Sequence, residues 1–381
     1  MSYFRVKPSF RLLALLAPAL ALGVPAVALA ETRPVAAPTP AAPVALPPAA
    51  PPLAAPAPPA SPPVAAGTRS EQDLAVRGIY LQRNTVQNPP RLKRLIERSL
   101  KLGLNTFVVD VTGRSPKYEQ AIKTIQDAGL TYVPRVAMFP DGARNEAVLR
   151  DQKLLEQRWG LVDYALSLGA KDIQLDYIRF THHNVDSPAN ATKVLEVIQF
   201  FRQRIEQRGA RLQIDVFGEV SYAPSTHIGQ DMQRFAPALH AVCPMVYPSH
   251  FEPHEKTAKE PYRTVFGALT ALERQIQSSP IPVYAYIEPF NYRHPMSDVE
   301  RRDYFEEQLK AVLDSPAQGF YVWSAGNFYD VVFNVLQRRA ERSLAASAKK
   351  AAQNGSAPPR ALASTAPGAA TERSAPAAGL D

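Results

Sequence analysis

The run KDIQLDYIRF, residues 171–180, decides the fold. Its first half alternates polar with aliphatic side chains, which is how a β-strand with two different faces reads. Downstream, Val194, Val197, Ile198, Phe201 and Ile205 recur at helical spacing and Gly209 follows them. A second strand-like run, RLQIDVFG at 211–218, comes immediately after. Strand, amphipathic helix and strand in this order make one repeat of a parallel sheet with crossover helices.

The same alternation extends from Val76 to Arg339. Candidate strands fall at 77–82, 105–111, 131–139, 172–180, 211–218, 241–247, 282–290 and 319–324. Eight parallel strands are the number at which a sheet closes with side chains filling its interior, so the expected fold is an α/β (β/α)8 TIM barrel. Between them the helices carry start and stop signals. Pro89-Pro90 opens the first, Leu92, Leu95, Ile96 and Leu100 form its apolar face, and Gly103 closes it. Ser297-Asp-Val-Glu300 has the form of a capping box. An open doubly wound sheet is disfavoured because no Gly-x-Gly-x-x-Gly turn follows any strand.

Both ends of the chain differ from this body. Arg5, Lys7 and Arg11 precede an apolar run from Leu12 to Leu22, and Ala28-Leu29-Ala30 has the small-x-small form of a signal-peptidase site. Residues 1–30 are therefore expected to be a secretory signal peptide. The rival, a retained membrane anchor, is weakened by the shortness of the run and by Pro18 and Pro25. Residues 31–70, rich in Pro and Ala, read as a disordered linker, and residues 343–381, rich in Ala, Ser and Pro, as a disordered tail. That leaves residues 71–342 for the barrel. Cys243 is the sole cysteine, so no intrachain disulfide forms and no lipoprotein anchor follows the signal. Without the signal the formal charge of +8 drops to +5, too small and dispersed to suggest nucleic acid. No stable membrane span is expected after signal cleavage, the location is expected to be periplasmic or secreted, and the oligomeric state is left open.

In such a barrel the chemistry sits at the C-terminal ends of the strands. The second strand brings Asp110, the fourth Asp176, Tyr177 and Arg179, and the fifth Asp215 and Glu219. The sixth brings Tyr247, Ser249 and His250, the seventh Tyr286 and Glu288, and the eighth Trp323 and Asn327. Two carboxyl groups flanking a bond are what glycoside hydrolysis requires, and aromatic faces stack on sugar rings. Asp176, Asp215 and Asp110 also have structural readings, as acids paired with Arg135 or Arg179 across the barrel. Strand alternation puts Asp176 on a face with Gln174 and Ile178, and Asp215 with Phe217 and Glu219, so Asp215 and Glu219 compete for one role. His182, His183, His250 and His254 raise a metal site, but the first strand, GIYLQRN, lacks the His-x-His pair that metal-dependent barrel hydrolases usually place there. No Gly-x-Ser-x-Gly elbow supports a serine nucleophile.

RGIYLQ, VVDV, KDIQLDYIRF, IDVFG, VCPMVYPSHF and VWSAGNFY together resemble the bacterial glycoside-hydrolase-like (β/α)8 domain long catalogued as of unknown function. The resemblance runs from about Val76 to Arg339 and implies a distant relative of the α-amylase-like barrels, whose fourth-strand Asp is the expected nucleophile. That position falls on Asp176; the same resemblance carries Asp215, Tyr247 and His250 into the site. The sequence departs from the family pattern at Thr181, where proline is usual, and at Glu288-Pro289-Phe290. The expectation is a hydrolase of an envelope or extracellular polysaccharide or oligosaccharide, needing no cofactor. Asp176 would be nucleophile or base, Glu288, Asp215 or Glu219 the proton donor, and Asp110, Tyr177, Arg179, Tyr247, His250, Tyr286 and Trp323 would hold or orient sugar. The alternatives are a non-catalytic glycan-binding or scaffold protein with the same groove and a metal-dependent deacetylase or amidase.

Overall fold

A computed structural model describes residues 69–353; the expected signal peptide, residues 31–68 of the expected linker and the residues beyond Gln353 lie outside the described residues. The strands are β1 (Val76–Leu81), β2 (Thr106–Asp110), β3 (Thr131–Ala137), β4 (Asp172–Asp176), β5 (Arg211–Phe217), β6 (Ala241–Met245), β7 (Tyr284–Ile287) and β8 (Gly319–Val322). Each pairs in parallel with its sequence neighbour, and β1 pairs with β8, so the sheet closes into an eight-stranded barrel. The TIM-barrel expectation is thus met.

Helix ends follow the local chemistry. Asn88 accepts from Arg91 N ahead of the Pro89–Lys101 helix, and Ser115 accepts from Tyr118 N ahead of Pro116–Asp127. Ser297 and Glu300 form the expected reciprocal cap of the Asp298–Asp314 helix. Such side-chain acceptors satisfy amide groups that have no partner within the helix. Gly209, at φ +68°, turns the chain out of the Ala189–Gln207 helix and into β5. The apolar stripes of the helices, including Val194, Val197, Ile198, Phe201 and Ile205, are buried against the outer faces of the strands. The final helix runs from Asp330 to Gln353, past the position where the change in composition put the end of the domain.

Inside the barrel the filling is unusually polar. Tyr286 OH donates to Gln174 Oε1 at 2.7 Å, Gln174 Nε2 to Gln213 Oε1 at 3.2 Å, and Tyr321 OH to the same Gln213 oxygen at 3.1 Å. Cys243, fully buried, donates to Gln213 Oε1 at 3.1 Å. Paired in this way, buried amides and hydroxyls cost little and fix one another's orientation. This layer is the floor on which the functional groups stand.

Most strands end earlier than their apolar runs suggest, and at two of them this moves candidate residues. β4 stops at Asp176 because Tyr177 turns left-handed, at φ +54°, with its amide donating to Asp176 Oδ1 at 2.5 Å. The face shared by Gln174 and Asp176 therefore does not continue to Ile178, which packs in the outer core instead. β5 stops at Phe217, and the 3-10 turn Gly218–Ser221 carries Glu219 away from Asp215.

Candidate active site

Arg135, on β3, organises the C-terminal mouth of the barrel. Strand register sets Asp110 of β2 beside it, while Asp176 is paired with Ala137, two residues further along β3. Its Nη1 donates to Asp110 Oδ1 at 2.6 Å, its Nε to Asp176 Oδ2 at 3.1 Å, and its Nη2 to the same Asp176 oxygen. Asp215 Oδ2 lies 3.5 Å from Nε. Burial opposes the charge on this guanidinium, but Asp176, Asp110 and Asp215 outweigh it and hold its pKa well above the ordinary value.

Three carboxyl groups around one cation leave excess negative charge, so one of them is best kept neutral. The structure selects Asp215. It is 1% exposed, its Oδ1 is buried without a hydrogen-bond donor, and it stands within hydrogen-bond reach of Asp176. Burial first, and then the Asp176 charge, drive its pKa well above 3.8 despite the opposing pull of Arg135. Burial and the neighbouring Asp176 thus favour the neutral form of Asp215.

Above this pair opens a cavity of about 210 Å³ lined by Arg135, Asp176, Tyr177, Arg179, Asp215, Phe217, Gln230, Met245, Tyr247, His250, Tyr286 and Trp323. Tyr247 and Trp323 form one aromatic wall, their rings 5.5 Å apart, and His250 meets Tyr247 edge-on at 5.0 Å. Tyr177 stands across Arg135, whose guanidinium carbon is 5.9 Å from its ring. Burial lowers the His250 pKa to about 4, helped by Arg293 and His254, so this imidazole is neutral at neutral pH. A second, outer recess of about 310 Å³ shares Phe217 and His250 with the cavity.

Of the residues singled out from sequence, Asp176, Asp215, Tyr177, Arg179, Tyr247, His250, Tyr286 and Trp323 meet at this cavity. Asp110 is held behind Arg135, with Tyr80 OH donating to its Oδ2 at 2.5 Å. Two expected proton donors are displaced. Glu219 lines the outer recess, because the turn after β5 swings it out. Glu288 is sealed under the loop after β6, where it accepts from Ser249 N at 3.0 Å, Ser249 Oγ at 2.8 Å and Tyr304 OH at 2.5 Å. With its oxygens so engaged, Glu288 anchors that loop and is not among the residues lining the cavity. Phe217, Gln230 and Met245 complete the lining without having been singled out as site residues, since an apolar side chain at a strand end or an amide in the loop after one carries no chemical signature. Asp172 and Arg211, paired at 2.9 and 2.8 Å, mark the opposite end of the barrel. Among the described residues, no three His, Cys, Asp or Glu side chains gather around one metal-sized point.

Comparison with known proteins bears on the family and the fold. Residues 159–329 match the family model described as "putative glycosyl hydrolase domain", a stretch that contains β4, β5, β6, β7 and β8 and hence Asp176 and Asp215. The resemblance read from the sequence holds over that stretch. Among solved structures, the C-terminal domain of a chitinase-like protein from Desulfitobacterium hafniense DCB-2 is similar over 70% of this chain and 99% of its own, with a TM-score of 0.52 and 12% identity. A class V chitinase from Pseudomonas fluorescens Pf-5 is similar over 69% of this chain and 98% of its own, with a TM-score of 0.50 and 15% identity. At such identities the likeness is one of fold. No curated protein sequence matches the chain.

Proposed function

We propose that this chain, whose segment 159–329 matches a glycosyl hydrolase family model, hydrolyses a glycosidic bond in a polysaccharide, with Asp176 meeting the substrate and Asp215 storing the proton. The observation that carries this reading is the Asp176 and Asp215 pair, two carboxyl groups clustered on Arg135 and lining the base of an aromatic-walled cavity.

The arrangement supports a balanced cycle. A sugar ring stacked along Tyr247 and Trp323 presents its glycosidic oxygen to Asp176, which passes on the proton it receives from Asp215. As the bond to the leaving sugar breaks, positive charge develops at the anomeric carbon, and the carboxylate pair faces it. A water molecule then adds to that carbon and gives its proton to the pair, restoring the starting state. Arg135 keeps its proton throughout and prevents the extra carboxylate charge from raising the energy of the pair. Both proton-transfer groups belong to the chain, so the cycle calls for no cofactor.

Arg5, Lys7, Arg11, the run Leu12–Leu22 and Ala28-Leu29-Ala30 support export, and we place the substrate outside the cytoplasm, in the envelope or beyond it. No helix among the described residues is long and apolar enough to cross a membrane. Amino-terminal sequencing of the mature protein from the exported fraction should begin at Glu31; a chain retaining residues 1–30 would contradict cleavage.

The direct test is incubation of wild-type protein and the Asp176→Asn and Asp215→Asn variants with bacterial polysaccharides, scoring new reducing ends. Each substitution should lower kcat by at least about 100-fold. A variant of Asp176 that cleaves at the wild-type rate would remove the mechanism. The grip of Arg135 on Asp176 also suits a second reading, a groove that binds glycan without cleaving it. Saturable glycan binding by wild-type protein with no new reducing ends would favour that reading.

A further inference from the structure

Arg135 is surrounded by acids, but the second guanidinium lining the cavity is not. Arg179 is only 5% exposed, and no carboxylate oxygen among the described residues lies within 4.0 Å of it. Its Nη1 donates to neutral carbonyls, those of Phe180 at 2.8 Å and Asp141 at 3.4 Å. Its planar head lies 5.0 Å from the Phe217 ring and 5.6 Å from the Tyr177 ring, a fixed position between two aromatic walls. Burial depresses the Arg179 pKa, with Asp176, Tyr177 and Asp141 pulling the other way, none of them close enough to pair with it. A buried cation with no directly paired carboxylate is costly, and such a cost persists where the missing partner arrives with a ligand.

The outer recess also carries a guanidinium, an exposed one. Arg293 lines it, exposed, with no carboxylate among the described residues within 4.0 Å, and Glu219 is the sole acid on that lining. His182 stands at the join, 5.3 Å from the Phe217 ring, and burial together with Arg179 lowers its pKa, so it adds a hydrogen-bonding group and no charge at neutral pH. A guanidinium fork matches a carboxylate through two parallel hydrogen bonds.

We propose that the substrate is an acidic glycan and that Arg179 receives a carboxylate borne by the sugar in the cavity, with the next ring lying in the outer recess near Arg293. This rests on the hydrolase reading and names its substrate class. The groups that would do the chemistry, Asp176 and Asp215, are separate from the group that selects the sugar.

Calorimetric binding to the full-length Asp176→Asn protein tests it, with carboxylated oligosaccharides (polyuronates and muramate-containing fragments), their carboxyl-reduced neutral forms and a sulfated glycan as probes. A carboxylated probe should bind at least about tenfold more tightly than its reduced form, and Arg179→Gln should abolish that preference. Arg179→Lys, which keeps the charge and loses the fork, should retain part of it, and it keeps the test open if the Gln variant folds poorly. Equal affinity for acidic and reduced forms, equal affinity for the sulfated glycan, or no binding of any carboxylated probe would overturn the proposal. Wild-type cleavage of neutral glycans at undiminished rate would sink the acidic class and leave hydrolysis standing. Carboxylate-selective binding without new reducing ends would do the reverse.

Discussion

Asp215 occupies a position that a carboxylate avoids, at the base of a closed barrel with one oxygen facing no donor. Burial, with the Asp176 charge added, raises its pKa, so the folded protein keeps a proton that an unfolded chain releases near pH 3.8. The sign follows by linkage. Between that pH and the raised folded value the native state binds more protons, so the contribution of Asp215 to stability is full below pH 3.8 and falls as pH rises, by about 1.4 kcal/mol per unit. Asp215→Asn, which is neutral at every pH, should flatten this slope and raise neutral-pH stability while lowering kcat. Thermal unfolding of both proteins from about pH 4 upward reads the difference. Parallel pH profiles would show that Asp215 is already ionised and that no proton is stored. Asp176, its partner, was recognisable in the sequence as an acid inside an apolar strand; Arg135 left the same kind of signal, a cation within TYVPRVA. That one guanidinium serves three acids was not readable, because it depends on the pairing of β2, β3 and β4.

The loops after the strands set the walls of the site, and Glu288 shows how. Its hydrogen bonds from Ser249 N, Ser249 Oγ and Tyr304 OH fasten the turn Pro248–His250, and so place Tyr247 and His250 at the cavity. Burial raises the Glu288 pKa to about 7, with Tyr304 and Ser249 pulling against it. Glu288→Ala would strand three buried donors and should cost about 2–4 kcal/mol in urea unfolding. Glu288→Gln preserves the shape and should cost less, with KM rising more than kcat falls. A cost under about 1 kcal/mol for the alanine variant would mean that the loop is held some other way. Gly142, after β3, has a comparable role for Arg179. At φ +88°, a Cβ there would meet Phe180 O at 2.5 Å and Arg179 Nη1 at 2.7 Å, so Gly142→Ala should both destabilise the fold and weaken glycan binding. The elements themselves were legible, since period-two and helical patterns with their caps located all eight strands. What misled was the end of a strand. Tyr177 turning left-handed and the 3-10 turn after Phe217 are local backbone events that leave no hydrophobic period, and they removed Ile178 and Glu219 from the faces that alternation assigned them.

Closure of the whole barrel requires β1 and β8 to meet, and residues just before β1 secure that seam. Arg69 donates through Nε to Leu313 O at 3.1 Å and through Nη2 to Ser315 O at 2.5 Å and Ala317 O at 2.9 Å, all on the segment leading into β8. Leu74 is buried in the outer core, and Glu71 pairs with Arg339 of the last helix. These contacts join the start of the domain to its end, and a barrel has no free edge at which a loss can be confined. A chain beginning at Val76 lacks all of them while keeping every strand. Compared with a chain beginning at Arg69, it loses the burial of one leucine, a guanidinium bound to several carbonyls and a half-buried ion pair, together about 3–5 kcal/mol. For a domain of this size that should lower the melting temperature by about 10 °C. Because the seam lies beside Tyr80 and Trp323, cleavage should fade at a lower temperature in the shortened chain than in the one that begins at Arg69. Equal melting temperatures for the two chains would show that β1 and β8 hold the seam unaided.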